Sequence, residues 1–280
     1  MYLVTGAGGN VGAEVVRALA AAGEPVRALT HDRAPAGLPD GAQAVRGDLN
    51  DAPSLAGPLR GVRGLFLLPG YQAAPAILAQ ARRAGVERVV LLSGGSAGNP
   101  DTSNAITAYM ARSEREVRES GLPWTFIRPT AFMSNALRWK PQLDRGDVVR
   151  VPFAGVRTAC IDPADIAGVA ALALTAAGHA GQVYLPTGPQ SLLPAEQVAI
   201  LADVLGRDLR CEAQPDDEAR AEMSKTTPPE YVDAFFDFYV AGSLDESRVR
   251  PTVEDLLGRP PRRFEVWARD HAAAFAPGPG

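Results

Sequence analysis

Lysine and cysteine are scarce in this sequence of 280 residues, and each scarcity excludes a kind of chemistry. Of the 28 basic residues only Lys140 and Lys225 are lysines, so a mechanism that needs a lysine has two candidates. The cysteines, Cys160 and Cys211, are far apart, and neither has a second cysteine at metal-ligand spacing. We therefore expect two reduced, packed thiols, and the three dispersed histidines do not indicate a metal site.

Long apolar runs and concentrated positive charge are also missing. No apolar stretch approaches the roughly 18 residues that span a bilayer, and the formal net charge is −4 with the basic residues scattered. Nucleic acids and anionic membranes need a concentrated basic patch, so neither partner is expected. The strand-like run Tyr2-Leu3-Val4 begins at once, which predicts no signal peptide and a cytoplasmic protein. The helix faces indicate no interface, so the oligomeric state stays open.

The first 130 residues alternate short apolar runs with helical patterns, which predicts a doubly wound parallel sheet in an α/β protein. Each run is apolar on both faces, as expected for strands that helices cover on both sides. The helical patterns mostly end at a glycine, which supplies a left-handed cap. The predicted strands are residues 2–5, 25–30, 42–46, 64–68, 88–93 and 124–128. The predicted helices between them are residues 11–22, 73–84 and 104–120.

The strongest local signal is the loop Thr5-Gly6-Ala7-Gly8-Gly9-Asn10-Val11-Gly12, between the first strand and the first helix. Gly6 permits a tight turn, Gly9 lets backbone amides approach a pyrophosphate, and Gly12 lets the helix pack closely on the strand. The helix start at Asn10 and Val11 then offers free N–H groups and partial positive charge to phosphates. The loop predicts a nicotinamide dinucleotide site; the alternative is a turn whose glycines serve packing alone.

The end of the second strand decides between NADP and NAD. An acidic side chain there binds the ribose hydroxyls of NAD, whereas a basic one accommodates the extra phosphate of NADP. The tip carries His31 and Arg33 within reach of the ribose, and Asp32 between them argues for NAD. We predict NADP(H) as the favoured cofactor, with NAD(H) as the alternative.

Two further strand ends are predicted to line the same site. Asp48 and Leu49 follow the third strand. There a carboxylate can accept a hydrogen bond from the adenine amino group, and a leucine can contact the face of the adenine ring. The alternative for Asp48 is a charge at a helix N-terminus. Leu68 and Pro69 follow the fourth strand at the topological switch point, where they are predicted to form a backbone wall beside the nucleotide.

Together these motifs resemble the NmrA-like group of atypical short-chain dehydrogenases over nearly the whole chain. The resemblance rests on residues 5–12, 47–48 and 120–129, on Ser93 after the fifth strand, on Phe132-Met133 with Asn135, and on residues 162–167. It implies an NAD(P)-binding Rossmann fold with a small C-terminal substrate lobe. It does not fix a reaction, because some members reduce quinones, dyes or biosynthetic intermediates with NADPH and others sense the dinucleotide and regulate a partner.

The chain is accordingly divided into two regions. Residues 1–130 are predicted to form the NAD(P)-binding Rossmann core, and residues 131–280 a mostly helical lobe that covers the substrate. Residues 158–187 are expected to return to the core. Asp162 is typical of an N-cap and Pro163 of a first helical residue, which predicts a helix to about residue 176, and a strand is predicted near residues 182–185. The predicted lobe helices are residues 195–205, 216–224, 229–241 and 264–275.

Ordinary short-chain dehydrogenases use a Ser-Tyr-Lys arrangement in which the tyrosine protonates the substrate oxygen. Ser93 stands near the serine position and Tyr109 lies on the following helix, so these two are the predicted catalytic residues. The residue four positions after Tyr109 is Ser113, so the Tyr-x-x-x-Lys element is absent. Arg112 is a poor substitute for lysine and is interpreted as a surface residue that pairs with Glu116.

The missing lysine constrains the acceptor. A simple ketone leaves a localised alkoxide that needs a tuned acid, whereas a quinone, iminium or aromatic natural-product intermediate delocalises or cancels the charge. We predict an NAD(P)H-dependent oxidoreductase that transfers hydride to such a conjugated acceptor. The alternatives are a non-catalytic NAD(P)-sensing regulator and a tailoring enzyme of aromatic polyketide biosynthesis. The predicted walls of the substrate pocket are Phe132, Asn135, Trp139 and Phe153, with Phe235, Phe236 and Tyr239 as further candidates.

Overall fold

A parallel sheet of seven strands forms the centre of the protein. The computed structural model describes residues 1–31 and 37–276. The strands are β1 (Tyr2–Val4), β2 (Val26–Thr30), β3 (Ala42–Arg46), β4 (Gly64–Leu67), β5 (Arg88–Leu92), β6 (Trp124–Ile127), β7 (Val148–Val151), β8 (Gln182–Tyr184) and β9 (Arg210–Ala213). The large sheet has the order β3-β2-β1-β4-β5-β6-β8. The chain therefore starts in the middle of the sheet, and the strand order reverses between β1 and β4.

Helices cover both faces of this sheet because its strands are apolar on both sides. On one face, α1 (Asn10–Ala21) packs on α5 (Pro163–Thr175), and their buried side chains meet those of β1, β2 and β4. On the other face lie α2 (Ala74–Arg83), α3 (Ala105–Glu119) and the 3-10 turn Ala52–Leu55. The prediction of a doubly wound α/β fold is confirmed.

Part of the second half of the chain belongs to this sheet. α5 begins at Pro163, after Asp162, whose carboxylate accepts a hydrogen bond from the Ala164 N–H at 2.8 Å. β8 then pairs in parallel with β6, with Phe126 opposite Val183. The chain thus leaves the sheet after β6 and comes back to it before continuing into the lobe.

The C-terminal lobe has a core of its own. β7 and β9 form a parallel pair, and side chains of α6 (Pro194–Leu205) and α10 (Phe264–Asp270) join their buried residues in one apolar cluster. Phe264 and Trp267 are fully buried in this cluster. The remaining helices are α4 (Lys140–Leu143), α7 (Asp216–Met223), α8 (Pro229–Tyr239) and α9 (Thr252–Leu257).

The lobe also contains elements that the sequence patterns do not predict. β7, β9 and α9 are missed, and the predicted helix at residues 264–275 is two elements, α10 and the 3-10 turn Ala272–Phe275. β7 includes Arg150, and β9 includes Arg210 and Glu212 among its four residues, so neither shows a clear apolar pattern. Within the described part of the chain, no helix is both long and apolar enough to cross a membrane.

Candidate active site

The glycine loop between β1 and α1 is shaped by close backbone contacts. Gly6 has a φ of 63°, and a Cβ at this position would lie 2.5 Å from the Leu68 Cδ1 atom. The Gly6 carbonyl accepts a hydrogen bond from the Gly9 N–H at 2.9 Å. A Cβ at Gly12 would lie 2.1 Å from that same carbonyl oxygen. Only glycine fits at Gly12 without moving the loop, so the start of α1 is held against the end of β1.

The N-terminus of α1 opens onto a cavity of about 620 Å³, which all of residues 6–12 line. Gly9 caps the helix without a side-chain hydrogen bond, and the first turn contains no acidic residue. The partial positive charge at this helix end is therefore not neutralised by the chain itself. Such an end binds phosphate groups, so this loop fits the pyrophosphate of a dinucleotide.

The same cavity reaches the ends of β2 and β3, where His31, Asp48 and Leu49 line it. The His31 Nε2 and Asp48 Oδ2 atoms are 3.2 Å apart. Asp48 Oδ1 accepts hydrogen bonds from the backbone and side-chain N–H groups of Asn50, at 2.8 and 3.1 Å. The Asn50 backbone bond lowers the pKa of Asp48, and the Asn50 side chain and His31 add to this. Arg33, the other predicted phosphate-binding residue, lies outside the described residues.

The crossover between β1 and β4 forms another wall of the cavity. Leu68 lines it, and the Leu68 N–H donates to Thr5 Oγ1 at 3.0 Å, so this buried threonine ties the two strand ends together. Pro69 is half-buried beside Leu68 but is not one of the residues that line the cavity. Leu92 and Phe132 complete the cavity on the side of β5 and the lobe.

A second cavity, of about 740 Å³, lies against the lobe, and the four residues predicted to bind substrate line it together. These are Phe132, Asn135, Trp139 and Phe153. Phe235 and Tyr239 of α8 line it as well, whereas Phe236 is buried behind Phe153, with ring centroids 5.1 Å apart. Phe132 lines both cavities. The dinucleotide cavity and the lobe cavity therefore adjoin at this side chain.

The two predicted catalytic residues line neither of these cavities. Ser93 is buried, and its Oγ donates to Glu114 Oε1 at 2.7 Å. Glu114 is itself buried, and Arg128 donates to both of its carboxylate oxygens at 2.7 Å. Tyr109 packs edge-on against Tyr231, with ring centroids 6.1 Å apart. Burial, with a contribution from Tyr231, raises the pKa of Tyr109. Ser93 and Tyr109 thus have protein partners of their own beside the site.

The charged residues at the lobe cavity were not predicted from sequence. Arg150 and Glu222 line the cavity and form ion pairs with Glu218 and Lys225. Arg138 and Arg145 line it, and neither forms an ion pair with any residue that the structure describes. Glu246 is 8% exposed, and its Oε2 accepts a hydrogen bond from the Tyr239 hydroxyl at 2.9 Å. No local pattern marks Glu246, because it lies in a polar stretch that looks like a solvated loop.

The fold, the glycine cradle and the adjoining cavities define a dinucleotide-binding Rossmann protein with an acceptor pocket. The chain matches the sequence model of the NAD(P)H-binding family over residues 6–177 and belongs to this family. The predicted NAD(P)-binding Rossmann family and the predicted NAD(P) cofactor are both confirmed, and the fold is that of the transcriptional regulator NmrA, with a TM-score of 0.72 at 20% identity, covering 96% of this chain and 94% of that one.

Two relatives match over nearly their whole length. The (4-alkanoyl-5-oxo-2,5-dihydrofuran-3-yl)methyl phosphate reductase of Streptomyces griseus is 42% identical, covering 99% of this chain and 100% of the relative. The NAD(P)H azoreductase of Xenophilus azovorans is 37% identical, covering 98% and 99%. The NADPH-dependent quinone oxidoreductase of Escherichia coli, solved in complex with NADPH, superposes with a TM-score of 0.77 at 21% identity, covering 98% of this chain and all of that one. The present chain is accordingly an NAD(P)H-dependent oxidoreductase of the atypical short-chain dehydrogenase type.

Proposed function

We propose that the protein reduces a conjugated acceptor held in the lobe cavity, with NADPH as the preferred hydride donor. The observation that carries this proposal is the position of Phe132, which lines both the dinucleotide cavity and the lobe cavity. An acceptor in the lobe cavity thereby adjoins the dinucleotide site. A dinucleotide held by its pyrophosphate at the glycine cradle would supply a hydride from its nicotinamide, and the residues of the chain would hold and orient both partners.

The composition of the lobe cavity supports a flat, conjugated acceptor. Phe132, Trp139, Phe153 and Phe235 give it aromatic walls, while Asn135 offers an amide that can hydrogen-bond a carbonyl. No lysine follows Tyr109 at the spacing that ordinary short-chain dehydrogenases use. An acceptor that delocalises the added charge needs less acid assistance than a simple ketone does. The relatives' acceptors, an azo compound and a dihydrofuranone, are conjugated in this sense.

The charged residues of the cavity support an anionic group on the acceptor. The dihydrofuranone in the name of the Streptomyces griseus relative carries a phosphate ester. In the present chain Arg138 and Arg145 line the cavity, and neither forms an ion pair with a described carboxylate, although Glu222, which also lines the cavity, interacts electrostatically with Arg145. The remaining arginine of the lining, Arg150, is paired with Glu218. Guanidinium groups recognise phosphate by paired hydrogen bonds. We therefore include phosphorylated dihydrofuranones among the proposed acceptors.

The test is to follow NADPH and NADH oxidation with a quinone, an azo dye, a 4-alkanoyl dihydrofuranone with and without its phosphate, and a simple ketone. We expect turnover of conjugated acceptors only. The KM for the phosphorylated dihydrofuranone should be about tenfold lower than the KM for its alcohol. Arg138→Gln and Arg145→Gln should remove this preference, and the exposed Arg83→Gln on α2 serves as the control. Faster turnover of the simple ketone contradicts the proposal. Binding of both redox forms of the dinucleotide with no oxidation by any acceptor would instead indicate a sensor.

A further inference from the structure

Tyr239 and Glu246 form a buried pair on the wall of the lobe cavity. Tyr239, at the end of α8, lines the cavity, and its hydroxyl is 2.9 Å from Glu246 Oε2. The backbone of Ala131 is near enough to the Glu246 carboxylate to lower its pKa. In addition, the Glu246 backbone carbonyl accepts from the Ala159 N–H at 2.7 Å. The carboxyl group is therefore held between the backbone and the phenol of a residue that lines the cavity.

The pair lies close to the junction of the two cavities. Ala131, whose backbone lowers the pKa of Glu246, directly precedes Phe132, the residue that lines both cavities. Phe153 packs on the Tyr239 ring, with centroids 5.2 Å apart. Phe153 has a φ of 54°, which is unfavourable for a residue with a side chain and is held here by the packing around it. Tyr239 thus lines the same cavity as Phe132, with its hydroxyl bonded to Glu246.

The surroundings favour a neutral Glu246. No described lysine, arginine or histidine forms an ion pair with its carboxylate, and its charged neighbour on the same segment, Asp245, is of like sign. Burial is the largest effect and raises the pKa of Glu246, while the bonds from Tyr239 and Ala131 oppose it. Burial, with a contribution from Glu246, raises the pKa of Tyr239, so the phenol stays protonated until charge develops on an acceptor. The other titratable groups near the pair are the Cys160 thiol on the Glu246 side and Arg138 on the Tyr239 side.

We propose that Tyr239 and Glu246 are the proton donor of the reductase, taking the place of the absent Tyr-x-x-x-Lys element. This inference rests on the proposed function, since it assumes a conjugated acceptor in the lobe cavity. Tyr239 is the catalytic residue, because it faces the acceptor. Glu246 acts through Tyr239 as the positioning residue and proton reservoir.

The proposed acceptor has an alkene conjugated to a carbonyl group. Hydride addition at its β carbon moves the π electron pair onto the carbonyl oxygen and gives an enolate. The Tyr239 O–H bond breaks, and its proton joins the enolate at the α carbon. The resulting phenolate takes the proton of the Glu246 carboxyl group, and a hydronium ion from solvent then reprotonates Glu246, so each turnover consumes one hydride and one proton. No additional oxidant or reductant is needed, and the protein ends in its starting state.

The kinetic test uses Tyr239→Phe and Glu246→Gln in the full-length protein with NADPH and the best conjugated acceptor. General acid catalysis contributes roughly 10²–10⁴-fold, so we expect Tyr239→Phe to lower kcat about 100-fold while KM changes less than threefold. Wild-type kcat should fall as the pH rises through the pKa of Glu246, and Glu246→Gln should lose this dependence. Tyr231→Phe on the same helix is the matched control and should behave as wild type. Asp245→Asn removes the like charge beside Glu246, so it should keep kcat at low pH and lose activity at a lower pH than wild type.

A binding measurement separates the proton donor from a merely structural pair and needs no turnover. 4-Nitrophenolate is a flat oxyanion that mimics the enolate, and its absorbance reports whether it is bound ionised. Wild type should bind it more tightly at pH 6 than at pH 8, and Tyr239→Phe should weaken binding at pH 6 about tenfold. Infrared difference spectra of the cofactor-free protein should contain one protonated carboxyl band at pH 6 that Glu246→Gln removes.

The outcomes distinguish this inference from the proposed function. If wild type reduces conjugated acceptors but Tyr239→Phe retains its kcat, the proton donor is wrong and the reductase assignment stands. If wild type reduces none of the acceptors, the reductase assignment fails, and the infrared and phenolate measurements still decide whether Glu246 is protonated and Tyr239 donates. An unchanged pH profile in Glu246→Gln also overturns the role given to Glu246.

Discussion

We propose that His31 discriminates between the two cofactors. It lines the dinucleotide cavity at the end of β2, and its Nε2 atom lies 3.2 Å from Asp48 Oδ2. A ribose phosphate at this strand end brings negative charge next to the imidazole. An imidazole N–H can donate a hydrogen bond to such a group.

Replacing His31 by alanine should therefore affect one cofactor more than the other. We expect His31→Ala to weaken NADPH binding about tenfold, because a charge-assisted hydrogen bond contributes roughly 1.5–3 kcal/mol when desolvated and less at an exposed site. NADH binding should change less than twofold. Fluorescence titration of the purified variant with each reduced dinucleotide measures both constants. If the ratio of the NADPH and NADH dissociation constants is the same in His31→Ala as in wild type, His31 does not determine the cofactor preference.

Residues with a purely local constraint were the most predictable. Gly6 and Gly12 are recognisable in sequence because a tight turn and a helix-strand contact need no side chain, and the structure places Cβ clashes of 2.5 and 2.1 Å at these positions. Ser93 was placed at the correct strand end, but its partner Glu114 lies 21 positions later and nothing local indicates the bond. The Tyr239–Glu246 contact is hidden for a different reason, since burial of one acidic residue in a polar stretch depends on the packing of the whole lobe.

At the scale of elements, α3 is attached to the sheet by a buried ion pair. Glu114 is 1% exposed. Its carboxylate accepts hydrogen bonds from Arg128, which directly follows β6, and from Ser93, which directly follows β5. The outer face of the same helix carries the predicted Arg112–Glu116 pair, with Nε and Oε1 3.8 Å apart. Buried pairs lose far more than exposed ones when a single partner is removed.

Glu114→Ala should consequently destabilise the fold strongly. Removing this carboxylate leaves Arg128 largely buried without its counter-charge, so we expect the free energy of unfolding to fall by about 3 kcal/mol. Urea denaturation followed by circular dichroism measures the change. Glu119→Ala, at the exposed end of α3, should alter the free energy of unfolding by less than about 0.5 kcal/mol. If the two substitutions change the free energy of unfolding equally, the buried ion pair contributes no more to stability than the exposed one.

Elements were predictable where their own residues determine burial. The seven strands of the main sheet were found to within about two residues, because strands covered on both faces are apolar throughout. β7 and β9 are short and carry exposed arginines, so their pairing depends on the fold of the lobe rather than on their composition. α9 has six residues and one buried position, Val253, which is too little for a helical pattern.

For the molecule as a whole, Glu246 makes stability depend on pH. Its pKa in the folded protein is raised above the ordinary 4.5 by burial. Below pH 4.5 Glu246 is protonated in both the folded and the unfolded protein, so its ionisation does not lower the free energy of unfolding. As the pH rises from there to the folded pKa, the unfolded chain ionises first, and the folded state loses stability. The effect of Asp245 on stability has the opposite sign. Its hydrogen bonds from Ser247 lower its pKa, so its ionisation stabilises the folded state.

Glu246→Gln should therefore be as stable as wild type at pH 4 and more stable at pH 8, because the amide keeps the hydrogen bonds and cannot ionise. Asp245→Asn should show the reverse, with a lower Tm than wild type at pH 8 and little difference near pH 3. Thermal unfolding across this pH range, monitored by circular dichroism, measures both trends. A Glu246→Gln variant whose Tm stays parallel to wild type at every pH would show that Glu246 ionises normally.

β7 and β9 are hydrogen-bonded partners, yet α5 and β8, which belong to the main sheet, lie between them in the chain. The lobe is therefore not one continuous piece of sequence. A chimaera made with a single crossover anywhere between β7 and β9 would take the two halves of this small sheet from different parents. Under the proposed function, acceptor preference depends on two separate segments of the chain, and transferring it between reductases of this family requires grafting both at once.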